Sequence, residues 1–147
     1  GNSTTVFDFQ PDHFKSPCKV GVGICYDVRF PELAMLMRNA GCSVLIYPGA
    51  FNTTTGPMHW ELLLRSRAVD NQVYVAAVSP SRSPDSTYQA WGHSSVVDPL
   101  GKVVTTCDHE PTVIFSDINL EQVEEVRQNI PVSLQKRSDI YELKKVE

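Results

Sequence analysis

Twice in the first half of the chain a strand-length apolar run gives way, after a short turn, to a proline and a helical pattern. Val20-Gly21-Val22-Gly23-Ile24 precedes Pro31, and Ser43–Tyr47 precedes Pro57. A strand that leads into a helix rather than a hairpin returns through a crossover, so the next strand runs parallel to it. Proline in the first turn of a helix is harmless, because its missing N–H would have no partner there. Leu33, Leu36 and Met37 then fall on one helix face, and Gly41 ends the helix. Within Ser43–Tyr47 the run Val44–Tyr47 is continuously apolar, which suits a strand buried on both faces. The glycines at 21 and 23 imply that another backbone or a ligand comes close.

The pattern continues. The second helix is expected over Pro57–Asn71 and a third buried strand over Val73–Val78. Ser79–Thr87 reads as an exposed loop. Ser94–Val97 and Lys102–Thr106 form a hairpin around Asp98-Pro99-Leu100-Gly101. A last strand is expected over Thr112–Ile118. Asn119 then caps a helix, with Gln122 placed for a capping box and Leu120, Val123 and Val126 on the buried side. After Pro131 the chain is polar, with Ile140, Tyr141 and Leu143 as apolar anchors. No internal repeat or linker interrupts it. The reading is one α/β domain with parallel strands followed by antiparallel ones. On such sheets ligands sit beyond the carboxyl ends of the parallel strands, here Cys25–Arg29 and Pro48–Gly56.

The 147 residues are 41% hydrophobic and 20% charged, an ordinary globular balance. A chain of this size buries roughly two thirds of its unfolded surface. Thirteen basic against seventeen acidic residues leave a net charge of −4, which excludes a general nucleic-acid binder. No apolar run approaches the roughly 20 residues that span a bilayer. Residues 1–5 lack the charged and apolar regions of a signal peptide. The first residue is Gly rather than Met, which fits a processed end or part of a longer protein. Cys18, Cys25, Cys42 and Cys107 are accordingly expected to be reduced thiols in the cytoplasm, with mitochondria as the alternative compartment. His13 with Cys18, and Cys107 with His109, come nearest to ligand pairs, but neither repeats, so no metal is expected. Asn2-Ser3-Thr4 and Asn52-Thr53-Thr54 match the glycosylation sequon and, without a secretory signal, are expected to be unused.

Cys25 stands at the end of a strand, a few residues before a helix. That is the layout of a nucleophile elbow, in which a sharp turn lifts the side chain clear of the sheet. A helix N-terminus aimed at the thiol would favour the thiolate, and the N–H of Tyr26 is placed to stabilise an oxyanion. The competing reading is a small buried cysteine, which also suits Cys18, Cys42 and Cys107. None of His13, His59, His93 and His109 is linked to Cys25 by spacing, so no Cys–His pair is assigned. Arg29, one turn on, suits a bidentate carboxylate contact, or equally an ion pair with Asp27 or Glu32. Glu61 and Arg65 suit a structural i,i+4 pair, and His59 and Trp60 suit packing and hydrogen bonding.

Here the residues resemble a known family. Gly23-Ile24-Cys25-Tyr26-Asp27-Val28-Arg29-Phe30-Pro31-Glu32-Leu33 resembles the cysteine motif of the nitrilase (carbon–nitrogen hydrolase) superfamily. Tyr47–Pro57 with His59-Trp60-Glu61, Arg65–Asn71 and Gln135–Tyr141 resemble its omega-amidase (Nit2-type) branch. The likeness runs from about residue 18 to 143.

The resemblance implies a four-layer α-β-β-α sandwich that dimerises through its helices, and a Glu-Lys-Cys triad with Cys25 as nucleophile. It implies no cofactor. It further implies small omega-amides of dicarboxylic keto acids as substrates, such as 2-oxoglutaramate and 2-oxosuccinamate. Arg29 would then contact the carboxylate, and Phe51 and Thr55 would line the pocket. The Glu and Lys of the family lie upstream of the cysteine, and residues 1–24, with Asp8, Asp12, Lys15 and Lys19, match neither motif. The chain therefore resembles the C-terminal half of the domain, lacking the N-terminal half. By itself it is expected to be inactive and to expose an apolar sheet face and open strand edges. Three explanations fit: an upstream half that these 147 residues do not include, a short product without activity, or a chain that folds by pairing with another polypeptide. The first is preferred. Two alternatives stand beside the omega-amidase reading: a non-catalytic half-domain that binds or dimerises, and another amidase branch such as the deaminated-glutathione amidases.

Overall fold

The computed structural model describes residues 3–10, 12 and 17–146. His13 and Lys15, singled out from sequence, lie outside the described residues. Among the described residues six strands form one sheet in chain order: β1 Thr5–Phe9, β2 Cys18–Val22, β3 Val44–Pro48, β4 Tyr74–Val78, β5 Ser95–Val97 and β6 Val103–Thr106. β2, β3 and β4 are parallel, while β1 and the β5–β6 hairpin pair antiparallel at the two ends. Helix α1 (Pro31–Asn39) links β2 to β3, and α2 (Thr55–Asn71) links β3 to β4. Both crossovers lie on the same face, as right-handed connections between adjacent parallel strands in one direction require.

The period of two divides the strands between two cores. Leu45, Tyr47, Val75, Ala77 and Val97 turn toward Ala34, Met37, Trp60, Leu64 and Ala68 of α1 and α2. Cys18, Val20, Val44 and Tyr74 turn the other way, onto Val123 of helix α3 (Leu120–Asn129) and onto Ile118 and Leu120. This explains the unbroken apolar run of β3: Val44 and Leu45 are both buried, on opposite faces. The expected close approach at the glycines is real, but side chains make it. A Cβ on Gly21 would stand 2.7 Å from Met37 Sδ, and one on Gly23 would stand 2.5 Å from the Tyr47 ring.

Several expectations need correction. β1 has no counterpart among the elements expected from sequence. It is short and two-faced, and only its pairing with β2 makes it a strand. Thr112–Ile118 is not a strand. It pairs with no ladder among the described residues, and Val113 and Phe115 are 75% and 85% exposed. Alternation without a partner strand leaves the backbone unladdered. Asn119 does cap α3, its side chain accepting from Glu121 N–H, but the capping box is not closed. Gln122 instead accepts from the Tyr74 hydroxyl. Ile140 and Tyr141 are mostly exposed, so of the three tail anchors only Leu143 is partly buried. An exposed apolar sheet surface is present as expected: Phe7, Phe9 and Val78 stand on the α3 side of the sheet, beyond the helix's cover.

Candidate active site

At the carboxyl ends of β2 and β3 two loops meet. After β2 the chain runs through Gly23 and Ile24 into a short 3-10 turn, Cys25–Arg29, just before α1. Gly23 N–H still bonds to Ile46 O at 3.0 Å, so the turn starts directly from the sheet. Asp27 closes it. Its carboxylate accepts from Ile24 N–H at 2.8 Å, and its own N–H donates to Ile24 O at 3.0 Å. Cys25 takes φ +50°, a left-handed conformation that costs an L-residue about 1–2 kcal/mol. Backbone strain of this kind gathers at functional positions, and a sharp strand-to-helix turn is the layout expected here from sequence. The half-buried thiol lies at 3.9 Å from Ala50 O, a long and weak contact. The helix expected after the thiol is α1, which begins at Pro31, and the five-residue 3-10 turn lies between it and the sheet. Among the described residues the Tyr26 N–H makes no hydrogen bond.

The second loop comes after β3. Gly49 N–H donates to Val78 O at 2.9 Å, which ties it to β4. A Cβ on Gly49 would lie 2.8 Å from Cys25 Cα, so only glycine lets the two loops touch. Asn52 shapes the entry to the next helix. Its side-chain oxygen accepts from the N–H groups of Thr54 and Thr55 and from the Thr55 hydroxyl at 3.0, 2.8 and 3.0 Å. Helix α2 consequently starts at Thr55, two residues before Pro57. Phe51 is buried, edge-on to Trp60 with ring centroids 5.1 Å apart. The loop is braced from outside: Trp91 N–H donates to Phe51 O at 2.7 Å, and the Tyr88 hydroxyl donates to Ala50 O at 2.7 Å.

Arg29 connects the two loops. Its guanidinium lies 4.5 Å from the Phe51 ring centroid and 5.2 Å from that of Tyr26. It forms no ion pair with Asp27 or Glu32; Nη1 meets His59 Nδ1 at 3.2 Å instead. Arg67, buried on α2, holds the end of the turn through Nε to Val28 O at 2.9 Å and Nη2 to Arg29 O at 3.3 Å. Tyr47 lies below in the core, where burial pushes its phenol well above the usual tyrosine range. The structure thus brings Tyr26, Arg29 and Phe51 into one cluster beside Cys25. Thr55 opens α2 at the end of that loop, with its hydroxyl directed to Asn52. Sequence alone assigned His59 to packing and missed its place against Arg29. Its i+4 spacing from Thr55 puts the two on one helix face, but nothing in the sequence signals the pairing with Arg29.

Elsewhere, Cys107 and His109 point apart. The Cys107 thiol turns to Ser94 O, while the His109 imidazole lies between Asp108 and Glu110. The bond from His109 holds the exposed Asp108 carboxyl below the usual range. No group of three or more such side chains suited to a metal occurs among the described residues. No helix among them is long and apolar enough to cross a membrane.

The sequence model of the carbon-nitrogen hydrolases matches residues 1–128. The chain belongs to the carbon-nitrogen hydrolase family. Mouse omega-amidase NIT2 is 60% identical over 129 residues, covering 87% of this hydrolase-family chain and 47% of the mouse protein. Human omega-amidase NIT2 is 58% identical over 135 residues, covering 90% of this chain and 49% of the human one. Among solved structures, Nit3 of Saccharomyces cerevisiae, a member of branch 10 of the nitrilase superfamily, superposes with a TM-score of 0.84. It is 51% identical, and the match covers 93% of this chain and 48% of that one. The chain spans about half the length of the curated relatives it matches. The α/β unit seen here is therefore a nitrilase-type fold, with its cysteine turn between the sheet and α1.

Proposed function

We propose that this carbon-nitrogen hydrolase chain is the nucleophile-bearing part of an omega-amidase that acts on short dicarboxylic keto-acid amides such as 2-oxoglutaramate and 2-oxosuccinamate. The observation that carries the reading is Arg29. A guanidinium without an acidic partner among the described residues lies against the Tyr26 and Phe51 rings, on the same turn as a strained cysteine. An acid group held there would present the far amide of a short chain to Cys25. The names of the mouse and human relatives support the same substrate class.

In this reading the Cys25 thiolate attacks the amide carbonyl, and the Tyr26 N–H donates to the oxyanion of the tetrahedral intermediate. The C–N bond breaks, the nitrogen takes a proton and ammonia leaves. Water then adds to the Cys25 thioester, and its collapse frees the carboxylate and restores the thiol. Phe51 and Thr55 line the chain of the substrate. The Glu that moves these protons and the Lys that helps stabilise the intermediate are to be sought in the half of the relatives' length that this chain does not span. The 147 residues alone are proposed to be inactive. A second copy would dock on α2, whose outer side presents Met58, Leu62 and Val69, each more than half exposed. Four free thiols suit a reducing compartment such as the cytoplasm.

The test is ammonia release from 2-oxoglutaramate by the full-length protein. Hydrolysis that is abolished by Cys25→Ala, with the fold kept, is expected. Retained turnover in Cys25→Ala refutes the nucleophile, and failure of the wild type on every acid amide refutes the substrate class.

A further inference from the structure

We infer that His59 is a positioning residue for carboxylate recognition, a neutral imidazole that fixes the plane in which Arg29 meets an acidic amide. This rests on reading Arg29 as the carboxylate contact. Arg29 Nη1 and His59 Nδ1 are 3.2 Å apart. A guanidinium only donates, so Nδ1 must be the acceptor and the ring proton must sit on Nε2. The tautomer of His59 is therefore set by Arg29, and the rotation of Arg29 is set by His59.

The rest of the surroundings make that single bond decisive. The Phe51 and Tyr26 rings lie 4.5 and 5.2 Å from the guanidinium carbon, contacts that set no hydrogen-bond direction, so among the described residues the bond to His59 is the directional hold on the guanidinium. The backbone of the turn is held separately, by Arg67 on α2. Asp27, the nearest carboxylate in sequence, is engaged by Ile24 N–H. Arg29 Nε is buried without a partner among the described residues. One of the guanidinium's N–H groups goes to His59, which leaves others for a carboxylate to take in parallel. Helix α2 thus anchors Arg29 at both ends, its carbonyl through Arg67 and its guanidinium through His59.

The test compares kcat/KM of the full-length protein for 2-oxoglutaramate and for pentanamide, a neutral amide of similar chain length. His59→Leu is expected to lower the acid-to-neutral ratio about tenfold, carried mainly by KM for the acid amide. His59→Asn places an amide oxygen near the position of Nδ1 and is expected to recover most of that ratio. Nitrogen NMR of the wild type is expected to show His59 unprotonated at Nδ1, with a resonance that shifts in Arg29→Ala. A protonated Nδ1, equal losses on both amides, or no recovery by Asn overturns the proposal. The two readings fail differently. If the wild type does not favour the acid amide, the omega-amidase reading falls and this one with it. If it does, and the ratio survives His59→Leu, only the role of His59 falls.

Discussion

Gly49→Ala tests whether the contact between the two loops sets the position of Cys25. The added Cβ would lie 2.8 Å from Cys25 Cα, 3.3 Å from Cys25 N and 3.4 Å from Cys25 Cβ. Carbon atoms in ordinary contact stand about 3.5 Å apart or more, so the shortfall is about 0.7 Å. Gly49 cannot supply the movement easily, because its N–H is bonded to Val78 O at the sheet edge of the loop. The Cys25 turn must move instead. Overpacking of this kind costs about 1–3 kcal/mol. The less flexible unfolded chain of the alanine variant returns about 0.4–1 kcal/mol, for a net loss of about 0.5–2 kcal/mol. A misplacement near 1 Å at a reacting centre costs up to about a hundredfold in rate, so kcat/KM is expected to fall by about ten- to a hundredfold. Denaturant unfolding and amide hydrolysis by the full-length protein measure the two effects. Gly41→Ala is the counter-case. Gly41 has φ +98°, lies at the opposite end of the parallel strands, and meets only the flexible Lys19 side chain. It should lose about 1–2 kcal/mol of stability while amide hydrolysis stays near wild type. A Gly49→Ala protein within about threefold of wild-type kcat/KM would refute the idea that this contact places Cys25.

Cys25→Gly should abolish amide hydrolysis and yet raise the unfolding free energy by about 0.5–1 kcal/mol. Glycine relieves the positive φ and gives back only part of that gain in unfolded-chain entropy; a destabilised variant would count against stored strain. Arg29→Lys should weaken acid amides far more than neutral ones, because an ammonium cannot make the two parallel bonds of a guanidinium. Equal losses in kcat/KM would remove the carboxylate contact. Thiol labelling with mass-spectrometric readout should mark Cys25 and Cys107 before the buried Cys18 and Cys42. Burial pushes the Cys42 thiol up to about 11, so at about pH 8 roughly one part in a thousand is thiolate. The unfolded thiol ionises first, so above about pH 9 this site lowers the unfolding free energy, and Cys42→Ala should flatten that part of the pH curve.

Local patterns determined much of this protein. The run Val20–Ile24, the proline at 31 and the glycine at 41 encode a strand, a helix start and a helix stop through period, missing donor and allowed φ, although the strand itself lies two residues earlier, at Cys18–Val22. These are properties of a few neighbouring residues. They are enough to place Cys25 at the carboxyl end of a parallel strand. Several long motifs in order then point to the family. What tertiary structure decided is whatever depends on a distant partner. β1 exists because β2 offers its edge, and 112–118 fails as a strand because no edge is offered to it. Gln122 leaves its capping box for the Tyr74 hydroxyl. Arg29 passes over its sequence neighbours Asp27 and Glu32 for His59, thirty residues on, because the crossover lays α2 across the cysteine turn. Side-chain pairing of that kind arises from how helices are packed on a sheet, and no spacing along the chain contains it.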